Sequence, residues 1–204
     1  MPRSLTAPRK APTQARSQAT VEAILQATER VLVKDGYDRL STNRVAAAAG
    51  VSVGSLYQYF PGKEALLAAL ANRHREHMME LFLERMGEFI DAPPERAARE
   101  IVRALFEADA RQRELHHVLH EQAPRIRQLK QLMDSVDQCA ATAVRAYIER
   151  HRDELCVENP ALAAWLVAHA VEAATHAAVL GGAPGSFDEI IEEVSEMVVR
   201  YLRR

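Results

Sequence analysis

A glycine set between two helix starts constrains this chain more than any other feature in it. In the stretch STNRVAAAAGVSVGSLYQYFPGK, residues 41–63, Gly50 directly follows four alanines. A glycine there can take the left-handed backbone conformation that ends a helix and reverses the chain. The flanks repeat one another. Ser41 can cap the first helix while Leu40 packs onto Val45, and Ser52 can cap the second while Val51 packs onto Leu56. Both pairs have the spacing of a hydrophobic staple. Two short helices joined by a tight turn are therefore expected, with the second presented to something outside the protein.

At about 100° per residue, Val53, Leu56, Tyr57 and Phe60 share one arc of the second helix, and Gly54, Ser55, Gln58 and Tyr59 share the other. The first arc reads as a core stripe. The second offers a bare backbone, a hydroxyl, an amide and a phenol without any charge, which suits a helix lying in a major groove and meeting base edges. Spacing alone also fits a small helical hairpin with a solvated face.

The residues STNRVAAAAGVSVGSLYQYFPGKEALL, preceded by AILQATERVLVKDGYDRLS, resemble the DNA-binding signature of the tetracycline-repressor (TetR) family of bacterial regulators, from about Thr20 to Leu70. The resemblance implies an N-terminal DNA reader and a C-terminal domain that binds a small molecule and releases the DNA. With the wheel, it places Arg44, Ser55, Tyr57 and Gln58 toward the major groove and Thr42, Tyr59 and Lys63 on phosphate, with Ser52 and Gly54 part of the same surface. Two departures stand out. Val53 occupies a position where many members carry Lys or Arg, and Ala46 to Ala49 replace commonly charged residues. Backbone anchoring then leans on Arg44, Tyr59, Lys63 and the N-terminal tail.

Charge is divided along the chain. Residues 1–75 carry 11 Lys/Arg against 5 Asp/Glu, a balance of +6; residues 76–204 carry 15 against 23, a balance of −8, and together these give the net −2. A basic head on an acidic body suits a protein whose first part meets phosphate. Residues 1–16 hold three prolines and four basic residues without apolar periodicity, so a flexible basic arm is expected there, with Arg9, Lys10 and Arg16 able to follow DNA or merely to solubilise. Val21, Ile24, Leu25, Thr28, Val31 and Leu32 then recur at helical spacing until Gly36, completing a three-helix domain over 17–64.

From Lys63 to Phe89 one long helix is expected. Its first turn opens on a lysine, an unfavourable charge for a helix start unless a phosphate sits there. Beyond Pro93-Pro94 the pattern is helical over Glu95–Ala110, Leu115–Glu121, Arg125–His151, Ala161–Leu180 and Phe187–Arg203, with Pro124, Pro160 and the Gly181–Gly185 segment as stops. An all-α fold is therefore expected, with residues 65–204 as a helical domain to which the resemblance assigns effector binding and dimerisation. The last two helices carry small residues such as Ala164 and Ala168 beside bulky Trp165, Leu166, Met197 and Tyr201, a composition fit for a four-helix contact in a homodimer.

Local catalytic signatures are missing: no GxGxxG, GxxxxGK[ST], CxxC or GxSxG occurs, so neither an enzyme nor a cofactor is expected. His116, His117 and His120, and separately His169, Glu172 and His176, could face one way, but histidines in core or interface positions are the favoured reading over a metal. An effector cavity would draw on Phe82, Phe106, His116, Leu119, Met133, Trp165 and His169, mostly apolar with a few imidazoles, although the same residues could simply fill a core. Cys139 and Cys156 read as small helix residues. The longest apolar run, Ala161 to Ala168, is too short to span a bilayer and Met1 to Lys10 lacks a signal-peptide block, so a cytoplasmic location without membrane contact is expected. The function expected is a ligand-responsive repressor acting as a homodimer on a pseudo-palindromic double-stranded operator and released by a small-molecule effector. The alternatives are a helical ligand- or metal-binding protein with a non-functional helix-turn-helix, and an enzyme built on an all-α scaffold.

Overall fold

The structure is a computed structural model, and it describes residues 15–122 and 127–203. Among these residues all regular structure is helical: α1 Ala15–Asp35, α2 Thr42–Ala49, α3 Val53–Tyr59, α4 Lys63–Glu88, α5 Pro94–Arg111, α6 Arg113–Gln122, α7 Arg127–Arg150, α8 Pro160–Val179 and α9 Phe187–Leu202. The chain divides into two compact units, Met1–His74 with Glu114–Leu132, and Arg75–Arg113 with Met133–Arg204. The boundary therefore falls within α4, ten residues beyond the expected end of the first domain, and α6 groups with the first unit. The basic arm falls almost wholly on residues outside those described, as does Pro124.

In the first unit the core is the stripe that the sequence writes at helical spacing. Ile24, Leu32, Val45, Leu56, Phe60, Leu66, Leu67 and Leu70 are fully buried. Thr28 lies among them, and its hydroxyl donates to the Ile24 carbonyl at 2.8 Å, which satisfies a polar group that burial would otherwise penalise. Arg73 on α4 is clamped by two carboxylates of α1, Glu22 at 2.7 Å and Glu29 at 2.5 Å.

The second unit is built around Phe82, Met86, Val102, Phe106, Ile148, Val171, Ile191 and Val198. Phe106 is completely buried and meets Phe187 edge to face, ring centroids 5.5 Å apart. Helices α5 and α9 are tied by Arg99 to Glu192, Arg103 to Asp188 and Arg203 to Glu95. Ser186 and Glu189 close a reciprocal capping box at the start of α9. The link between α4 and α5 is held from α7: Tyr147 donates to the Ala92 carbonyl at 2.7 Å, His151 Nε2 to the Ile90 carbonyl at 2.7 Å, and Arg150 pairs with Asp91.

Cys139 lies on α7, as expected, whereas Cys156 lies outside any helix, its N–H donating to the Leu202 carbonyl at 3.0 Å; both are exposed. By length and composition α8 is able to cross a bilayer, because Glu172 is its single Asp, Glu, Lys or Arg and the histidines interrupt the apolar run without charging it. One such helix is weak evidence for a membrane, since soluble cores and interfaces contain them too.

Candidate nucleic-acid interface

The hairpin forms by local rules. Ser41 Oγ accepts the N–H of Arg44 at 3.4 Å, a long bond, and Ser52 Oγ accepts the N–H of Ser55 at 3.0 Å, so both helices begin on a serine cap. Gly50 sits at φ 68°, ψ 27°, and the N–H of Val51 donates back to the Ala46 carbonyl at 3.0 Å. This is the chain reversal that a left-handed residue after a helix produces. Leu40 and Val45 are buried, as the first staple requires.

Helix α3 then sorts its side chains more narrowly than the wheel does. Leu56 and Phe60 are buried, but Val53 and Tyr57, expected on the same stripe, are 38% and 40% exposed. The buried stripe of α3 is narrower than the predicted arc: Leu56 and Phe60 hold one side of it, and Val53 and Tyr57, on the other side, emerge into solvent. Gly54 and Gln58 are exposed as expected, and Ser55 and Tyr59 are half-buried.

Several of these polar side chains already have partners. Tyr57 and Thr42 share a hydroxyl–hydroxyl hydrogen bond of 3.1 Å across the turn, and Tyr59 shares one of 3.0 Å with Ser17 on α1. The hydroxyls of Ser52 and Ser55 lie 2.8 Å apart. Arg44, 53% exposed, pairs with Asp35 at 3.0 Å. Lys63 opens α4, and its ammonium sits 4.3 Å from the centre of the Tyr37 ring, so a π face partly offsets the poor placement of a cation at a helix start. Ser17, Asp35 and Tyr37 belong to the site although no local spacing marks them. They act on residues 9 to 42 positions away in the chain.

The residues expected to line an effector cavity are divided between the two units. Phe82 and Phe106 belong to the buried cluster of the second unit. Trp165 is half exposed on α8, and the His169 ring lies against it, centroids 4.2 Å apart and tilted by 34°, while its Nδ1 donates to the Trp165 carbonyl at 2.9 Å. That pair is a local i, i+4 contact on a helix surface rather than part of the core around Phe106. His116 and Leu119 are buried in the first unit, where His116 meets His74 edge-on at 6.2 Å. The side chain of Met133 lies outside the described residues.

Comparison with known proteins decides the family. Residues 24–70 match "Bacterial regulatory proteins, tetR family", and residues 93–202, more than half of the chain, match "Tetracyclin repressor-like, C-terminal domain". The chain belongs to the TetR family. It is 34% identical over 91 residues to an uncharacterized HTH-type transcriptional regulator of Mycobacterium bovis, covering 44% of this chain and 47% of that protein. The chain thus spans about half the length of the mycobacterial relatives it matches. It is 26% identical over 138 residues to the HTH-type transcriptional repressor BepR of Brucella suis, 67% of this chain and 66% of that one. Among solved structures, SmeT in complex with triclosan has the same fold, with a TM-score of 0.73, 21% identity, and coverage of 92% of this chain and 93% of the other. Within this TetR-family chain the hairpin of α2 and α3 occupies the matched N-terminal segment.

Proposed function

We propose that this protein is a ligand-responsive transcriptional repressor that binds a pseudo-palindromic operator as a homodimer. The observation that carries the proposal is the state of α3: Leu56 and Phe60 anchor it to the core, while Val53, Gly54, Tyr57 and Gln58 stand exposed and uncharged. A helix fixed at its back and chemically plain at its front can enter a major groove closely and still read base edges. Arg44, Ser55, Tyr57 and Gln58 face the bases in this reading, Thr42, Tyr59 and Lys63 the phosphates, and Ser52 and Gly54 shape the approach. The rival, a ligand- or metal-binding protein with a non-functional hairpin, gains nothing from a turn whose two caps and left-handed glycine are intact.

One such helix covers only a few base pairs, so useful specificity needs two readers at a fixed spacing. The dimer surface we assign is the outer side of α8 and α9, where Leu162, Trp165, Leu166 and Met197 are exposed. Isolated exposed apolar residues are ordinary, but four large ones on two packed helices form a patch. The effector belongs to the second unit, around Phe82 and Phe106, and SmeT offers the precedent of a protein of this fold seen with triclosan. The protein acts in the cytoplasm, by binding and release rather than by catalysis. The test is a mobility shift on the DNA upstream of its own gene together with light scattering. A retarded band competed by specific but not random duplex, and a dimer lost on Trp165→Glu, are expected. No shift on any selected duplex would refute the proposal.

A further inference from the structure

We infer that Val53 reads a thymine methyl group in the operator, which makes this residue a determinant of sequence preference. The inference rests on the DNA-binding reading above. Among the described residues of the first unit, the large apolar side chains left exposed are Val33 on α1 and Val53 and Tyr57 on α3. Val53 and Tyr57 lie one turn apart, on the same side of the helix. The Tyr57 hydroxyl is engaged by Thr42, so what the ring adds to this side is mostly carbon. Between the two, Gly54 has no side chain, and a Cβ built there would meet only Ser52 Oγ at 3.9 Å. The exposed front of α3 is therefore a small hydrocarbon patch beside an open backbone and the Gln58 amide.

Among the described residues the patch stays exposed. Val53 is not needed for the core, which Leu56 and Phe60 supply, and a β-branched residue in an exposed helical turn is slightly worse for the helix than most polar choices. A lysine or arginine there would gain phosphate contact in a segment whose balance is +6. The occupant that suits a hydrocarbon patch on a basic, polyanion-facing helix is the one apolar group in the major groove, the C5-methyl of thymine, which small apolar side chains contact. Gln58, five residues further on and exposed on the same helix, is suited to adenine, whose N6 and N7 match a carboxamide. The two residues together select A·T pairs at neighbouring positions.

The experiment begins by selecting duplexes from a randomised pool with the full-length protein. Each thymine of the selected site is then replaced singly by deoxyuridine, which deletes the methyl and leaves the base pair intact. Affinities are read by fluorescence anisotropy at one salt concentration for the parent protein, Val53→Ala and Val53→Thr. One symmetry-related pair of thymines should lose about fourfold per half-site on substitution, the value of burying one methyl-sized group. Val53→Ala should bind the thymine duplex more weakly by a similar factor and be indifferent to deoxyuridine at that pair alone, while Val53→Thr, which keeps one methyl, stays partly sensitive. A parent protein indifferent to every deoxyuridine, or a Val53→Ala protein that keeps the parent's full sensitivity profile, overturns the inference. Enrichment of no sequence at all would instead refute the DNA-binding reading on which it stands.

Discussion

Substitution of Gly54 by alanine should make the protein more stable and a poorer DNA binder at once. Gly54 is the second residue of α3 and is not among the glycines with positive φ. The added methyl meets only Ser52 Oγ at 3.9 Å, an ordinary contact, so the folded state accepts it without strain. The unfolded chain loses freedom, and the helix gains a better former; together these are worth about 0.5–1 kcal/mol, or roughly 1–4 °C in melting temperature for a chain of this size. On the DNA side the same methyl would protrude from the exposed face of α3 beside Val53. A misplaced group there should cost about 1–3 kcal/mol, comparable with one mismatched base pair. Thermal melts followed by circular dichroism and anisotropy titrations on a selected duplex measure the two effects separately. Stability gained with affinity unchanged would show that this face does not approach DNA. Gly50→Ala provides the contrast: with φ at 68° and nothing within 4 Å of the new Cβ, its whole effect is conformational, a destabilisation of about 1–2 kcal/mol that asparagine should partly relieve.

Gln58→Ala should cost about 1–3 kcal/mol on the selected duplex and relax preference, whereas Lys63→Ala should weaken all duplexes alike and lower the salt slope by about 1; equal losses on specific and random DNA for Gln58→Ala would remove its assigned role. Phe106→Ala should destabilise by about 3–5 kcal/mol in urea melts, since the ring is fully buried against Phe187, and an intact melting curve would refute the packing role given to that ring. Burial pushes the Tyr147 phenol up to about 12, above its usual value near 10. The folded protein then binds the proton more tightly than the unfolded chain, so parent stability should fall as pH rises from about 10 to about 12, and a Tyr147→Phe protein showing the same fall would exclude Tyr147 as its source.

Helix positions were legible in the sequence because their ends are written in local chemistry. Proline at the start of α5 and α8, serine at the caps of α2, α3 and α9, and glycine after α1 and α2 act within a few residues of themselves. The sorting of α3 was less legible, because a wheel assigns direction without knowing how far the core extends. Val53 and Tyr57 lie on the predicted stripe and still emerge, since Leu56 and Phe60 already cover what the other helices present. The partners of Tyr59, Arg73 and Lys63 were not legible at all: Ser17, the two α1 glutamates and Tyr37 lie 26 to 51 residues away. An apolar residue in a helix looks alike whether it fills a core, as Phe106 does, or stands on a surface, as Trp165 does.

Arg44 meets the DNA with a carboxylate already in hand. If its guanidinium moves to the DNA, Asp35 is left as a partly exposed anion beside a polyanion and must recruit a cation from solution. Contact at this residue is thus an exchange of one counterion for another, with small net release of salt. Arg44 would contribute direction to the complex while adding little to its ionic-strength dependence. The salt slope of this protein would then count fewer charges than the number of arginines and lysines that reach the DNA.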